Sequence, residues 1–360
     1  MSALFSPLDI RGTTFRNRLW VAPLCQYSVD NEDGVPTDWH LVHLGSFALG
    51  GAGLVMTEAT AINPVGRISP QDTGIWNGEQ AAAWARIVTF IRSQGAVAGI
   101  QLAHAGRKAS TWRNWNPRQG TVAVADGGWE SVAPSAIAFD GYAPPRALRA
   151  DELAGIVADF VAGARRAVDA GFQLIEVHAA HGYLLHQFLS PLSNLRDDTF
   201  GGSLENRARL LLDIVTAVRA EVGSDFPLLV RFSATDWAEG GWDAAQTSTV
   251  AAWALAAGAD LFDVSTGGLI SGVTIPLGPG YQVPFAAEVH ATAQVPVSAV
   301  GLITQAQQAE EIVASGQADA VMMGRQLMRD PHFAWRAAAE LGVELDYYPP
   351  QYLRAKYSTA

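Results

Sequence analysis

Eight short runs rich in Val, Leu and Ile recur along the chain, separated by longer amphipathic stretches. They are Leu19–Pro23, Gly53–Glu58, Val97–Leu102, Leu174–His178, Leu228–Phe232, Leu261–Ser265, Val295–Val300 and Ala320–Met323. None alternates cleanly between polar and apolar residues, which is the pattern of strands buried on both faces of a parallel sheet. Helical spacing fills intervals at Gly78–Ser93, Asp151–Ala170, Leu204–Val222, Ala244–Ala257 and Thr304–Ala314. The joints recur as well. Gly171, Gly258 and Gly316 each stand between a helical stretch and the next run, where a left-handed residue ends a helix. Eight such units predict an α/β fold, a single (β/α)8 TIM barrel; a doubly wound sheet of six strands would leave two units unused.

Two stretches fall outside the repeat. Residues 103–149, rich in Gly, Pro, Trp and Ser, are too long for an ordinary loop and predict a capping insertion after the third strand. The tail, 343–360, carries Tyr347, Tyr348 and Tyr352 and is expected to pack on something beyond its own segment. No linker divides residues 1–360, so one domain is expected. With 49% hydrophobic and 16% charged residues among 360, the chain has material for a large core and is not a disordered sequence. Its 24 Lys+Arg against 35 Asp+Glu give a net charge of −11 without any basic block, which argues against a nucleic-acid partner. One cysteine makes neither an internal disulfide nor a Cys-based zinc site. The first residues lack a basic segment followed by an apolar run, and no apolar stretch reaches the ~18 residues of a membrane helix. A cytoplasmic protein without membrane association is the expectation.

In a barrel, chemistry gathers at the C-terminal ends of the strands. Those ends supply Pro23, Leu24, Cys25 and Tyr27, then Glu58, Ala59 and Thr60, then Gln101 and His104. They continue with His178, His181 and Tyr183, with Arg231 and Ser233, with Ser265 and Thr266, and end in Gly301, Gly324 and Arg325. The last two loops of a barrel are its usual phosphate site, where glycine lets backbone N–H groups approach the anion and arginine neutralises it. Gly301, Gly324 and Arg325 fit that role, whereas no strand is followed by G-x-G-x-x-G and no Walker A motif is present. His178 and His181, three apart at a strand end, admit three readings: a divalent metal site, a donor pair for a substrate oxygen, or buried structural histidines. Tyr183 beside them is suited to proton donation, since a phenol of ordinary pKa near 10 stays protonated at neutral pH.

The segments Ala22-Pro23-Leu24-Cys25-Gln26-Tyr27-Ser28, Gln101-Leu102-Ala103-His104-Ala105-Gly106-Arg107, His178-Ala179-Ala180-His181-Gly182-Tyr183-Leu184 and Asp197 to Arg207 together resemble the Old Yellow Enzyme family. The first segment and the tail Gln351-Tyr352-Leu353-Arg354 resemble its thermophilic-like subgroup, although Leu24 and Gln26 stand where methionine is expected in the closest members. The resemblance implies an FMN-containing TIM barrel that takes hydride from NADPH and reduces activated C=C bonds of α,β-unsaturated carbonyl or nitro compounds. It implies that His178 and His181 hold the substrate oxygen, that Tyr183 protonates Cα, and that Tyr27 lines the substrate side. Cys25, with Leu24 beside it, would contact the flavin; Pro23, Ala59, Gln101 and Arg231 would hold its ring and ribityl chain, and Gly301, Gly324 and Arg325 its phosphate. Arg354 would reach the neighbouring subunit's site in a homodimer or homotetramer. The stretch Phe200–Arg207 reads as structural, a Gly-Gly turn followed by a Ser203 helix cap and a helix start. A metal-dependent barrel hydrolase using His178 and His181 is the alternative.

Overall fold

The computed structural model describes residues 2–357. A hairpin, β1 (Leu8–Ile10) and β2 (Thr13–Phe15), precedes the first barrel strand, β3 (Leu19–Val21). Then follow α1 (Asp38–Leu49), β4 (Leu54–Ala61), α2 (Gly78–Ser93) and β5 (Val97–Ala103). The capping insertion holds only short 3-10 turns and a two-residue strand pair, β6 (Val132–Ala133) with β7 (Arg146–Ala147). The chain resumes with α3 (Leu153–Asp169), β8 (Leu174–Ala179), α4 (Leu184–Leu189), α5 (Leu204–Val222), β9 (Leu228–Ser233), α6 (Ala244–Ala257) and β10 (Leu261–Ser265). It ends in α7 (Val283–Ala293), β11 (Val297–Ala299), α8 (Ala306–Ala314), β12 (Ala320–Met323), α9 (Arg325–Arg329) and α10 (Phe333–Glu340). Strands β3, β4, β5, β8, β9, β10, β11 and β12 close into a parallel barrel as β12 pairs with β3.

Local chemistry sets these elements. Asn77 caps α2 by accepting from the Gln80 amide at 3.0 Å, Ser203 caps α5 through Asn206 at 3.3 Å, and Asp243 caps α6 through Gln246 at 2.9 Å. Gly171, Gly258 and Gly316 have φ of 89°, 115° and 72°, the left-handed backbone expected of them. Outward strand residues such as Val55, Ile100, Ile175, Val230 and Phe262 pack against Phe47, Trp84, Phe160 and Ile214 of the helices. Inside the barrel, Trp20, Leu54, Met56, Val97, Leu174, Leu229, Leu261 and Met322 fill one end, and Phe15 of the hairpin closes it 4.9 Å from Trp20.

The structure differs from the sequence reading at three places. The second strand does not stop at Glu58 but continues to Ala61, because a bulge between Met56 and Ala59 lets it resume pairing with β5. The run Val295–Val300 forms a strand only over Val297–Ala299. Helices α1, α4, α7, α9 and α10 had no counterpart among the expected helices; α4 and α9 are only six and five residues long, and nearly all-round apolar or small residues leave α1 and α7 with little periodic contrast.

Candidate active site

Register carries the interior from apolar to polar in steps of two residues. On β8 it passes from Leu174 to Glu176 to His178, on β9 from Leu229 to Arg231 to Ser233, and on β10 from Leu261 to Asp263 to Ser265; the register sets Glu176 opposite Leu229 and His178 opposite Arg231, and Arg231 and Ser233 opposite Asp263 and Ser265. The middle layer is a buried charge network. Arg231 Nε meets Asp263 Oδ2 at 2.8 Å, and Gln101 Nε2 donates to Glu176 Oε1 at 2.7 Å. Burial, and then the nearby Asp263 carboxylate, push the Glu176 carboxyl up to about 8. Sequence reasoning gave no role to Glu176 or Asp263, although each is an acid inside an otherwise apolar run.

At the mouth His178, His181 and Tyr183 come together. The His178 ring centroid lies 5.3 Å from that of His181 and 5.1 Å from that of Tyr183, edge-on in both cases. The Ala180 amide donates to His178 Nδ1 at 3.3 Å, so a neutral His178 carries its proton on Nε2. His181 has φ of 58°, its amide donates to Ser233 Oγ at 2.9 Å, and its Nε2 lies 2.8 Å from Ser265 Oγ. Burial, and then the Arg231 cation, hold both imidazoles well below their ordinary range. Burial also drives the Tyr183 phenol well above its own, with Cys25 adding to the shift. Both histidines are therefore neutral donors and Tyr183 a neutral acid near pH 7. Cys25, Tyr27 and Tyr183 border one apolar patch with Ala59, Ala103 and Ala105.

The neighbouring cavity, about 340 Å³, is lined by Pro23, Leu24, His181, Arg231, Gln282, Gly301, Gly324 and Arg325. Sequence reasoning passed over Gln282, whose Nε2 donates to the Val300 carbonyl and whose Oε1 accepts from Thr266. It also gave no role to Arg107 and Lys108, three and four residues after His104. Arg107 Nη2 donates to the Leu269 carbonyl at 2.6 Å, and Lys108 Nζ donates to the carbonyls of His181 and Gly268 at 2.9 Å, clamping cap to mouth. Burial brings the Lys108 ammonium down to about 8. Arg354 stands exposed on the turn Pro350–Ala355, away from this mouth's lining. The tyrosines of the tail pack on the chain's own last helix, Tyr348 lying 4.7 Å and Tyr352 5.8 Å from Trp335.

The donor set at the mouth fits a planar phosphorylated group. Among the described residues the amides of Gly301, Leu302, Gly324 and Arg325 donate to no protein acceptor, and a Cβ on Gly301 would come 2.8 Å from Gln282. Arg231 commits only Nε to Asp263 and keeps its terminal N–H groups for the cavity. The hydrolase reading finds no third ligand: no group of three or more His, Cys, Asp or Glu able to hold a metal occurs among the described residues.

The family model described as NADH:flavin oxidoreductase / NADH oxidase matches residues 3–344. The chain belongs to that family. It is 49% identical over 356 residues to the NADPH dehydrogenase of Listeria innocua, covering 99% of each chain. The Old Yellow Enzyme homologue of Zymomonas mobilis superposes with a TM-score of 0.78 at 28% identity, covering 99% of both chains. A 2-naphthoyl-CoA reductase gives a TM-score of 0.86 at 28% identity over 95% of this chain, which spans 52% of that longer one. The protein is thus a flavin-dependent oxidoreductase of the Old Yellow Enzyme family with FMN as its cofactor. Among the described residues no helix is long and apolar enough to cross a membrane.

Proposed function

We propose that this protein is an NADPH-driven ene-reductase acting on enones, enals, maleimides and nitroalkenes, with both substrates using one pocket in turn. The observation that carries the reading is the meeting of two neutral histidines and a neutral tyrosine within 5.3 Å, at the edge of the cavity lined by Arg231 and Arg325. FMN held there would supply, when reduced by NADPH, the hydride that adds to Cβ of the substrate. Gly301, Gly324 and Arg325 would hold its phosphate, Pro23, Ala59, Gln101 and Arg231 the remainder, and Leu24 and Cys25 would contact the flavin. Arg231 supplies the cation that favours negative charge on a reduced ring.

The residues act where charge develops. Hydride arriving at Cβ puts negative charge on the carbonyl or nitro oxygen, and the imidazole N–H groups of His178 and His181 donate to it there. Tyr183 gives its phenolic proton to Cα, and Tyr27 forms the substrate side of the pocket. Residues 103–149 cap this mouth of a single domain. The tail, 343–360, meets a neighbouring subunit in a homodimer or homotetramer, bringing Arg354 to the partner's pocket. We place the enzyme in the cytoplasm. Tyr183→Phe tests the proton donor: the oxidative half-reaction should slow by about 10²–10⁴-fold on substrates that require protonation, with flavin reduction nearly intact. An unchanged oxidative rate in stopped flow would remove Tyr183 from this role.

A further inference from the structure

We infer that Thr37, His40 and Glu58 form a positioning relay that fixes the Cys25–Tyr27 loop at the mouth, with Glu58 as its centre. Leu54 and Met56 face the barrel interior, so a regular β4 would turn Glu58 inward as well. The extra residue between Met56 and Ala59 reverses the alternation, and Glu58 points outward to α1 while Ala59 faces Cys25. Thr57 and Thr60 hold the bulge by donating their hydroxyls to the Glu58 carbonyl, each at 2.9 Å.

Turned outward, the Glu58 carboxylate has two partners. Its Oε1 lies 2.9 Å from His40 Nε2, and its Oε2 accepts from the Gln26 amide at 2.8 Å. The Thr37 amide donates to His40 Nδ1 at 2.9 Å, which puts the imidazole proton on Nε2, facing Glu58. His40 thus stands at the N3 position of a capping box, where glutamine or glutamate is the usual residue, and spends its second nitrogen on the carboxylate. His40 and Glu58 are buried, with exposures of 1% and 3%. The Gln26 amide, one residue from Cys25 and from Tyr27, is held by Glu58, and Tyr27 is kept at φ of 49°, a conformation costly outside glycine. Gln26 adds a second tie, its side chain donating to the Leu24 carbonyl and accepting from Trp39 Nε1. Burial, and then the Asp72 and Glu58 carboxyls, push the Cys25 thiol above its ordinary range and keep it protonated.

The inference rests on the preceding reading only for the statement that Cys25 faces the flavin. Cys25 is the sole cysteine of the chain, so alkylation followed by mass spectrometry reports on this loop alone. In the FMN-loaded enzyme, Glu58→Gln must leave a donor facing a donor at one end of the relay, and His40→Leu removes the link altogether. Both variants should alkylate with N-ethylmaleimide at least about tenfold faster than the parent, roughly the value of one buried hydrogen bond. His40→Gln, which restores the usual capping-box residue and still donates to Glu58, should stay within about twofold. Parent-like labelling in Glu58→Gln and His40→Leu, or no rescue by His40→Gln, overturns the relay. Hydrogen exchange on the unmutated enzyme covers the case of variants that do not fold: the Gln26 amide should be protected, and free exchange there overturns the relay equally. Faster labelling without any shift of the flavin absorbance band would instead detach Cys25 from the flavin face, leaving the relay standing.

Discussion

The two ends of the barrel interior are made by the same strands two to four residues apart, yet they obey opposite rules. At the closed end Leu174, Leu229 and Leu261 form an apolar layer with Trp20 and Met322, each fully buried and requiring only volume. At the mouth the same three strands present His178, Ser233 and Ser265, over a middle layer of Glu176, Arg231 and Asp263. The apolar layer stabilises by burial, whereas the buried charges are costly unless every one is partnered. The difference teaches where the fold is held and where it is put to use: the closed end sets the register, and the register aims the polar side chains.

Substitutions at the two ends should therefore separate stability from chemistry. The largest expected effect is at the closed end. Leu229→Ala should lower unfolding free energy by about 2–5 kcal/mol, with the flavin spectrum of the folded fraction unchanged; a parent-like melting curve would contradict the division. At the mouth, His178→Ala should weaken binding of a phenolic ligand by about tenfold or more, the loss of one donor to an oxyanion, with little change in melting temperature. Unaltered affinity in a titration followed at the ligand's charge-transfer band would count against the donor pair.

The smallest effect tests the middle layer through pH. The Glu176 carboxyl is raised in the folded protein from 4.5 to about 8, so the unfolded chain gives up this proton first. Between those values the folded state binds more protons, and stability contributed by this group falls as pH rises. Glu176→Gln removes the dependence, keeps an acceptor for Gln101, and should gain melting temperature relative to the parent as pH climbs from about 4.5 to about 8, levelling off above. A difference independent of pH would mean that Glu176 is ionised in the folded enzyme.

The chain revealed its barrel because an eightfold pattern of buried runs, with glycine at the joints before three of them, Gly171, Gly258 and Gly316, has few other solutions. His178, His181, Tyr183, Arg231 and Arg325 were legible because polar residues at the ends of apolar runs violate the pattern that made the runs recognisable. Glu58 violated it too, yet its partner is His40 on a helix, a pairing created by a bulge that shows only in strand register. Lys108 and Arg107 escaped notice for a related reason: their acceptors are the carbonyls of His181, Gly268 and Leu269, and backbone acceptors leave no residue-type signature. Helices α1 and α7 were missed because their apolar and small residues encircle the axis and leave little stripe.

In the proposed function, one mouth takes electrons from NADPH and gives them to an activated alkene. Anaerobic visible spectroscopy of the FMN-loaded protein tests it in one cuvette. The flavin band should bleach on adding NADPH and return when 2-cyclohexenone is added last. A band that bleaches and stays bleached with the enone and with a maleimide or nitroalkene would contradict alkene reduction, and one that never bleaches would contradict NADPH as the donor.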